Sequence, residues 1–273
     1  NIAFDSRKVR SDGIFVAIPG EKHDGGTFIK EALDKGATAI ITEASLESLS
    51  SLHIDREKVA LLRTSDSRKS LAIVSANFYE NPSAYLSLTG ITGTNGKTTL
   101  TYVLEALAKA DSKHTGVIGT IDCHFGNTKI PSAMTTPESL DLNLNLKQMV
   151  DAGVTDCFIE VSSHALSQKR VYDMNFDVGI FTNLSRDHLD FHKDMEEYKN
   201  AKAELFRGNK VKTPIVNIDD PVGKEFALEL KENIISTGIN SSADFSAENI
   251  SLTAVESRFT LKTPSGSTKI QTN

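Results

Sequence analysis

A glycine-rich turn between an apolar run and a helical pattern constrains this chain more than any other feature. The run from Leu88 to Gly93 is apolar and β-branched, and Gly93-Thr-Asn-Gly96 is too rich in glycine for regular structure. After Lys97, apolar residues recur at helical spacing, at Leu100, Val103, Leu104 and Leu107. The sequence therefore predicts a strand, a tight turn and an amphipathic helix that begins at Gly-Lys-Thr.

A strand, a glycine turn and a helix in this order form a cradle for phosphate. Backbone N–H groups and the positive end of the helix face the anion, Lys97 adds a point charge, and the Thr98 hydroxyl can hold Mg²⁺. The usual phosphate-loop spacing needs glycine at position 91, where Ile91 stands. A turn that merely starts an ordinary helix is the alternative, but the context favours binding of a nucleoside triphosphate.

Composition excludes several classes of function. The chain has 273 residues and a net charge of -6, without a basic block, so no nucleic-acid partner is expected. No apolar run approaches the ~20 residues of a membrane span, so no membrane insertion is expected. Two distant cysteines, Cys123 and Cys157, favour a reducing compartment, here the cytoplasm. The first residue is Asn rather than Met, so the natural N-terminus is expected to be missing.

Alternating strand and helix patterns predict an α/β protein of two domains. Asn81-Pro82 is the best boundary, because proline disfavours helix in the residue before it. Residues 1–83 read as a small α/β domain and residues 84–273 as a P-loop-type central domain with a mostly parallel sheet. The alternating tail after Asp244 predicts an antiparallel hairpin. Strands are predicted at 13–18, 37–42, 59–62, 156–161, 178–182 and 214–218. Helices are predicted at 27–35 and around Leu71, Val74 and Phe78, the second ending near Asn81-Pro82.

One segment of the central part is ambiguous. Leu140, Leu142, Leu144 and Leu146 alternate with polar residues, as in a half-buried strand. Thr136-Pro137-Glu138 just before them supplies a helix start with proline in the first turn. We predict a helix.

Polar clusters mark the ends of two predicted strands. They are Glu160-Val-Ser-Ser-His164 and the segment Thr182-Asn-Leu-Ser-Arg-Asp-His188 that continues to His192, and α/β enzymes place chemistry at such ends. A third cluster, Tyr198 to Lys202, lies on a predicted helix. A carboxylate and an imidazole facing a phosphate loop could complete a Mg²⁺ shell. Each cluster also has an alternative interpretation: Glu160 could be a solvated or paired carboxylate, the histidines could be structural, and Lys202 could be a surface lysine.

Together these motifs resemble one family, the Mur ligases of peptidoglycan synthesis, and within it the MurE branch, which adds the third residue of the stem peptide. The resemblance rests on Thr92-Gly-Thr-Asn-Gly-Lys-Thr-Thr99, Thr135-Thr136-Pro137, Glu160-Val-Ser-Ser-His164, Gln168-Lys-Arg170, Thr182-Asn-Leu-Ser-Arg-Asp-His188 and Ala201-Lys202. Phe4-Asp-Ser-Arg7 and Gly13-Ile-Phe-Val-Ala are similar to the family's uridine-binding domain. Ile91 then fits, because this family's loop uses T-G-T-N-G-K-T.

The resemblance implies a role for each matching residue. Lys97, Lys202 and His188 would be catalytic. One Mg²⁺ would be held by Thr98 with Glu160 and a second by His188, while Lys202 would be carbamylated and supply an anionic oxygen. The implied ATP-binding residues are Gly93, Thr94, Asn95, Gly96, Lys97, Thr98 and Thr99. The implied substrate-binding residues are Phe4, Ser6, Glu21, Lys22 and His23 for the uridine diphosphate, and Thr135, Thr136, Ser162, Gln168 and Arg170 for the muramoyl-dipeptide. Met134 departs from the family, which often has Asn there.

The implied activity is ATP-dependent amide ligation in the cytoplasm by a monomer. The D-Glu γ-carboxylate of UDP-MurNAc-L-Ala-D-Glu would become an acyl phosphate and then couple to meso-diaminopimelate or L-lysine. Residues 1–83 would bind the UDP-linked substrate and 84–273 ATP, and a C-terminal domain that binds the amino acid would be absent, leaving this fragment inactive alone. The alternatives are another Mur ligase, a folylpolyglutamate synthetase-like ligase or a silent nucleotide-binding module. The joint presence of Lys97, Glu160, His188 and Lys202 disfavours the last.

Overall fold

A computed structural model describes residues 1–20, 24–230 and 234–272. In chain order its helices are α1 (Ile29–Asp34), α2 (Leu46–Leu49), α3 (Ser67–Phe78), α4 (Lys97–Ala110), α5 (Ser139–Asp151), α6 (Ser163–Ser167), α7 (Met195–Ala203) and α8 (Pro221–Leu230). Short 3-10 helices lie at Ser6–Lys8, Gly25–Phe28, Ser50–Leu52, Pro82–Tyr85 and Arg207–Asn209. Within these described ranges, none of the helices has both the length and the apolar character needed to cross a membrane.

The strands form two sheets. They are β1 (Ile2–Ala3), β2 (Gly13–Ala17), β3 (Ala37–Thr42), β4 (Ala60–Arg63), β5 (Ser87–Thr92), β6 (Thr115–Ile118), β7 (Asp122–Phe125), β8 (Thr128–Pro131), β9 (Asp156–Glu160), β10 (Phe176–Phe181), β11 (Val211–Asn217), β12 (Ile235–Gly238), β13 (Phe245–Leu252), β14 (Ser257–Thr263) and β15 (Gly266–Thr272). One sheet has the order β1-β2-β3-β4, and the other has the order β15-β14-β13-β12-β11-β10-β5-β9-β6-β7-β8. The α/β prediction is confirmed.

The chain folds into two compact units that are not contiguous in sequence. The first unit comprises Asn1–Tyr85, Pro137–Asp151 and Gln168–Met174, and the second unit comprises Leu86–Thr136, Ala152–Ser167 and Asn175–Asn273. The segment Pro137–Asp151, which contains α5, and the segment Gln168–Met174 therefore belong to the same unit as the N-terminal residues. The assignment of residues 1–83 and 84–273 to separate functions stays a prediction.

The first unit is a parallel sheet covered by helices. β1, β2, β3 and β4 pair in parallel, so both faces need apolar cover. Phe15 and Ile40 are fully buried on one face, together with Ile29 and Ala32 of α1. The predicted helix at 27–35 is confirmed, although its first residues form a 3-10 turn after the Asp24 cap.

The second unit is built on a parallel core with antiparallel edges. β5 lies between β10 and β9, and these three strands run parallel. Since the chain continues from β5 to β6 on one side and reaches β10 on the other, the end of β5 is a topological switch point. β13, β14 and β15 pair antiparallel, which confirms the predicted hairpin tail.

The helix predicted after Thr136-Pro137-Glu138 is confirmed as α5, so the helix start outweighs the two-residue alternation of the leucines.

The helix predicted after the glycine turn is confirmed as α4, but its apolar stripe is not its most buried face. Thr101 and Glu105 are its buried positions, whereas Val103 and Leu107 are largely exposed. Glu105 can be buried because its charge is paired.

A buried ionic network joins α4 to β7. His124 Nδ1 lies 2.6 Å from Asp122 Oδ1, and His124 Nε2 lies 2.9 Å from Glu105 Oε1. Lys129 contacts Asp122 at 2.8 Å and Lys109 contacts Glu105 at 2.7 Å. Burial opposes ionisation of Asp122, but hydrogen bonds from Lys129 and His124 outweigh it and hold the Asp122 pKa below its usual value. The ionised carboxylate therefore stabilises the fold.

We expect Asp122→Asn to lower the free energy of unfolding by about 2 kcal/mol at pH 7, because His124 and Lys129 lose a charged partner. A carboxyl whose pKa is lower when folded stabilises above its unfolded pKa and loses that contribution as pH falls through its folded pKa. The difference between variant and unsubstituted chain should therefore shrink below about pH 4. Urea unfolding at several pH values measures it. The exposed Asp151→Asn is the control, and a difference independent of pH would contradict the electrostatic origin.

Candidate phosphate-binding site

The glycine turn lies at the switch point of the second unit, between β5 and α4. Gly93 and Gly96 both have positive φ, of 146° and 86°, which favours glycine. A Cβ at Gly93 would also collide with the Thr182 hydroxyl. Gly96 precedes the first residue of α4 and has no side chain with which to cap it, so the first N–H groups of the helix can face an anion.

The end of β10 braces this turn. Thr94 N donates to Asn183 O at 2.8 Å, and Asn95 N donates to Asn183 Oδ1 at 3.0 Å. The Thr182 hydroxyl donates in the other direction, to Asn95 O at 2.7 Å. The Thr182-Asn-Leu-Ser cluster, predicted to lie at a strand end, therefore stabilises the conformation of the glycine turn through these hydrogen bonds.

Two lysines meet at one backbone oxygen of the loop. Lys97 Nζ donates to Gly93 O at 2.9 Å, and Lys202 Nζ donates to the same oxygen at 2.8 Å. Lys202 is only 1% exposed, and its Nζ lies 4.5 Å from the centre of the Tyr198 ring. Burial, together with the charge of Lys97, lowers the Lys202 pKa to about 7. Lys202 is thus not a surface lysine, and its amine can lose its proton at neutral pH.

Glu160, at the end of β9, is a buried hydrogen-bond centre. Its Oε2 accepts from the Thr98 hydroxyl at 2.8 Å, and its Oε1 accepts from Thr120 N at 2.8 Å. The Thr120 hydroxyl adds a contact of 3.2 Å. The structure therefore brings together Thr98 and Glu160, as the sequence predicted. Sequence reasoning missed Thr120, which belongs to no recognisable motif.

The residues at 135, 136 and 162 lie next to Glu160. The Thr136 hydroxyl donates to Glu160 O at 2.7 Å and accepts from Ser162 N at 3.1 Å. The hydroxyls of Thr135 and Thr120 are 3.0 Å apart. Three of the residues predicted to bind substrate are thus assembled beside the phosphate loop.

His188 lies in an aromatic cluster rather than on Glu160. Its ring is 4.9 Å from that of His164 and 6.0 Å from that of Tyr198, and its φ is 52°. Its Nε2 is 3.6 Å from Asp187 Oδ2. In the part of the chain that the structure describes, no three His, Cys, Asp or Glu side chains converge as a metal cluster. Any metal at the loop would therefore also need oxygens from Thr98 or from a bound phosphate.

The other predicted substrate residues lie in the first unit. Phe4 packs against a core cluster, and the buried Ser6 hydroxyl donates to Glu31 Oε2 at 2.7 Å. Arg170 donates from Nη2 to Gln168 Oε1 at 2.6 Å. Glu21, Lys22 and His23, also predicted to contact the uridine diphosphate, lie outside the described residues.

An open cavity of about 670 Å³ borders the loop in the second unit. Leu100 and Val103 of α4, the first two residues of the apolar stripe, line it. Its polar lining includes Asn183, Asn217 and Asp219. The sequence analysis did not identify this cavity, because its lining comes from elements far apart in the chain.

Comparison with known proteins gives one consistent family. Residues 91–273 match the family model described as the Mur ligase middle domain, and residues 1–79 match the model described as the Mur ligase family, catalytic domain. A UDP-N-acetylmuramoyl-L-alanyl-D-glutamate--2,6-diaminopimelate ligase of Clostridium botulinum is 45% identical over 249 residues, which are 91% of this chain and 50% of the relative. The chain spans about half the length of the curated relatives it matches.

Solved structures agree with this assignment. A UDP-N-acetylmuramoyl-L-alanyl-D-glutamate--2,6-diaminopimelate ligase superposes with a TM-score of 0.86 at 27% identity, covering 98% of this chain and 54% of that chain. The MurF ligase of Thermotoga maritima, solved in complex with ADP, has a TM-score of 0.60 at 21% identity, covering 99% and 57%. The second likeness concerns the fold alone.

We expect Lys97→Ala to weaken ATP binding by about 2–4 kcal/mol, because a lysine charge at the start of α4 that contacts the loop is removed. Calorimetry of the chain with ATP measures the loss. Lys109→Ala is the matched control, since Lys109 lies on the same helix but pairs with Glu105 far from the loop. Unchanged ATP affinity in the Lys97 variant would show that the loop does not bind phosphate.

Proposed function

The chain belongs to the Mur ligase family, and on that premise we propose that it is the substrate-binding and ATP-binding part of a ligase that extends UDP-N-acetylmuramoyl-L-alanyl-D-glutamate. The added residue would be a diamino acid, meso-diaminopimelate or L-lysine. The observation that carries the proposal is the convergence of Lys97 and Lys202 on Gly93 O beside the Thr98–Glu160 pair. The names of the relatives support the substrate class.

ATP would lie along the second unit. The N–H groups of the loop and the start of α4 would hold the phosphates, with Lys97 as counter-charge. The cavity that borders Asn95 and Gly96 is large enough for a nucleoside, since ligand pockets start at about 300 Å³. Its apolar wall on α4 and its Asn217 and Asp219 side chains suit an adenine base and a ribose, respectively.

The residues around Thr98 fit a magnesium ion. A hydroxyl and a carboxylate are the hard oxygen ligands that Mg²⁺ prefers, and Mg²⁺ usually completes its shell with water and phosphate oxygens. Thr98 and Glu160 would hold one ion, and His188 would contribute to a second. Such ions neutralise charge on the transferring phosphoryl group.

The reaction needs no nucleophile from the protein. The D-Glu γ-carboxylate oxygen attacks the γ-phosphorus of ATP, ADP leaves, and the resulting acyl phosphate is attacked by the amine, which releases phosphate. The role of Lys97 is to stabilise the charge that builds up on the phosphoryl oxygens. Thr135, Thr136 and Ser162 would bind the muramoyl-dipeptide from the second unit. Phe4 and Ser6, with Gln168 and Arg170, would bind the substrate from the first unit.

Lys202 is proposed to carry a carbamate. Its neutral amine would attack carbon dioxide, form an N–C bond and release a proton, and the product would be an anionic ligand close to the loop. Two ammonium groups on one carbonyl oxygen are unfavourable, and carbamylation removes one of them. The lowered Lys202 pKa supplies the neutral amine that this reaction needs.

Carbon-13-labelled bicarbonate gives a direct test of the carbamate. We expect one protected carbamate signal in the carbon-13 NMR spectrum of the chain. The signal should grow as pH rises through about 7, because the neutral amine is the reactive form. Lys202→Arg should abolish it, whereas Lys199→Ala, on the same helix and paired with Glu225, should keep it. A signal that survives Lys202→Arg would refute the assignment.

Substrate titration tests the proposed function itself. We expect the chain to bind UDP-N-acetylmuramoyl-L-alanyl-D-glutamate saturably in calorimetry, to bind UDP alone more weakly, and to ignore a folate. UDP alone lacks the muramoyl-dipeptide contacts, and a folate lacks the uridine diphosphate. Preference for the folate would favour a folylpolyglutamate synthetase-like ligase. Equal affinity for UDP and the complete substrate would favour a general UDP-binding module.

A further inference from the structure

Thr120, in the turn between β6 and β7, links two groups of residues in the second unit. Its hydroxyl is 3.2 Å from Glu160 Oε2, which also accepts from the Thr98 hydroxyl at 2.8 Å. On its other side the same hydroxyl is 3.0 Å from the Thr135 hydroxyl. Glu160 is proposed to hold the ion that accompanies ATP, and Thr135 is proposed to bind the dipeptide. One side chain therefore contacts a residue proposed for each reactant.

The backbone at positions 119 and 120 is packed directly against the Glu160 carboxylate. Thr120 N donates to Glu160 Oε1 at 2.8 Å, and a Cβ at Gly119 would collide with that same oxygen, so glycine permits this close approach. Gly119 is also fixed by Asp122 and Ser132, since its N donates to Asp122 O at 3.1 Å and its O accepts from the Ser132 hydroxyl at 2.6 Å. Backbone contacts therefore set the position of Thr120, whatever its side chain.

The Thr120 side chain is exposed, although its backbone is held in this way. Thr136, in contrast, is fully buried, and its hydroxyl is bound to Glu160 O and Ser162 N. Thr135 is half-buried. The Thr120 and Thr135 hydroxyls are therefore the pair that a ligand can reach, and each has a rotatable O–H that can donate to a carboxylate oxygen.

A carboxylate that attacks ATP must lie beside the terminal phosphate. Reacting atoms are held about 3–3.5 Å apart before such a step. Thr98, at the start of α4, and Glu160 mark the proposed position of the phosphates and their ion. Thr120 contacts Glu160 and Thr135 at once, so a carboxylate bound to its hydroxyl lies where the two proposed subsites meet.

We propose that the Thr120 hydroxyl binds the reacting γ-carboxylate of the D-glutamate. This inference rests on the proposed function and adds to it a substrate-binding residue. When substrate binds, the Thr120 O–H turns to the carboxylate, while Glu160 still accepts from Thr120 N. The hydrogen bond holds one carboxylate oxygen and leaves the other free to attack the phosphorus.

Calorimetry in the absence of ATP and Mg²⁺ tests this contact. Thr120→Val replaces the hydroxyl with a methyl group and should weaken binding of UDP-N-acetylmuramoyl-L-alanyl-D-glutamate about tenfold. UDP-N-acetylmuramoyl-L-alanine lacks the D-glutamate, so its affinity should stay the same. Thr120→Ser keeps the hydroxyl and should bind the complete substrate nearly as well as the unsubstituted chain.

Thr128→Val is the matched control, since Thr128 is an exposed threonine at the start of β8. It should change neither affinity. Should Thr120→Val not fold, Thr120→Ala gives the same comparison, because it also removes the hydroxyl.

Four results would overturn the inference. They are unchanged affinity for the complete substrate in Thr120→Val, an equal loss for both ligands in that variant, an equal loss in Thr120→Ser, and a loss confined to ATP measured with Mg²⁺, which would assign the hydroxyl to the ion. If the unsubstituted chain does not bind the complete substrate at all, the proposed function is wrong instead.

Discussion

The carbonyl oxygen of Gly93 is the point on which the candidate site depends. Lys97, from the helix that follows the loop, and Lys202, from α7, both donate to it, although Lys202 is 109 residues away in sequence from Gly93. Burial of Lys202, together with the nearby charge of Lys97, lowers the Lys202 pKa to about 7. The same oxygen therefore holds both lysine side chains beside the glycine turn.

Buried carboxylates organise the polar parts of each unit. Glu160 in the second unit gathers Thr98 and Thr120, and Glu138 in the first unit gathers Arg68 and Arg170. A buried carboxylate is tolerated only with several donors, so its position fixes theirs. Such groups orient neighbouring residues with little freedom, which suits sites that must hold a substrate in attack geometry.

Local patterns predicted most of the elements but not which faces become buried. The strand, glycine turn and helix at 88–107 are confirmed, as are α5 and the hairpin tail. The apolar stripe Leu100–Leu107 does not form the buried face of α4. Thr101 and Glu105 are buried instead. The Thr101 hydroxyl donates to Thr98 O of the same helix, and Glu105 pairs with Lys109 one turn later and with His124 of β7. Periodicity reports the apolar residues and carries no information about such partners.

The sequence by itself determined the glycine turn between β5 and α4, since glycine conformations, a lysine and a helix start lie within a few consecutive residues and act through local geometry. It also indicated the family, through short motifs in a fixed order. Only the tertiary structure decided that Lys202 meets Lys97, that Thr120 reaches Glu160 and that Glu138 bridges two arginines. These contacts depend on strand order and helix packing, which bring distant segments together and which no local spacing encodes.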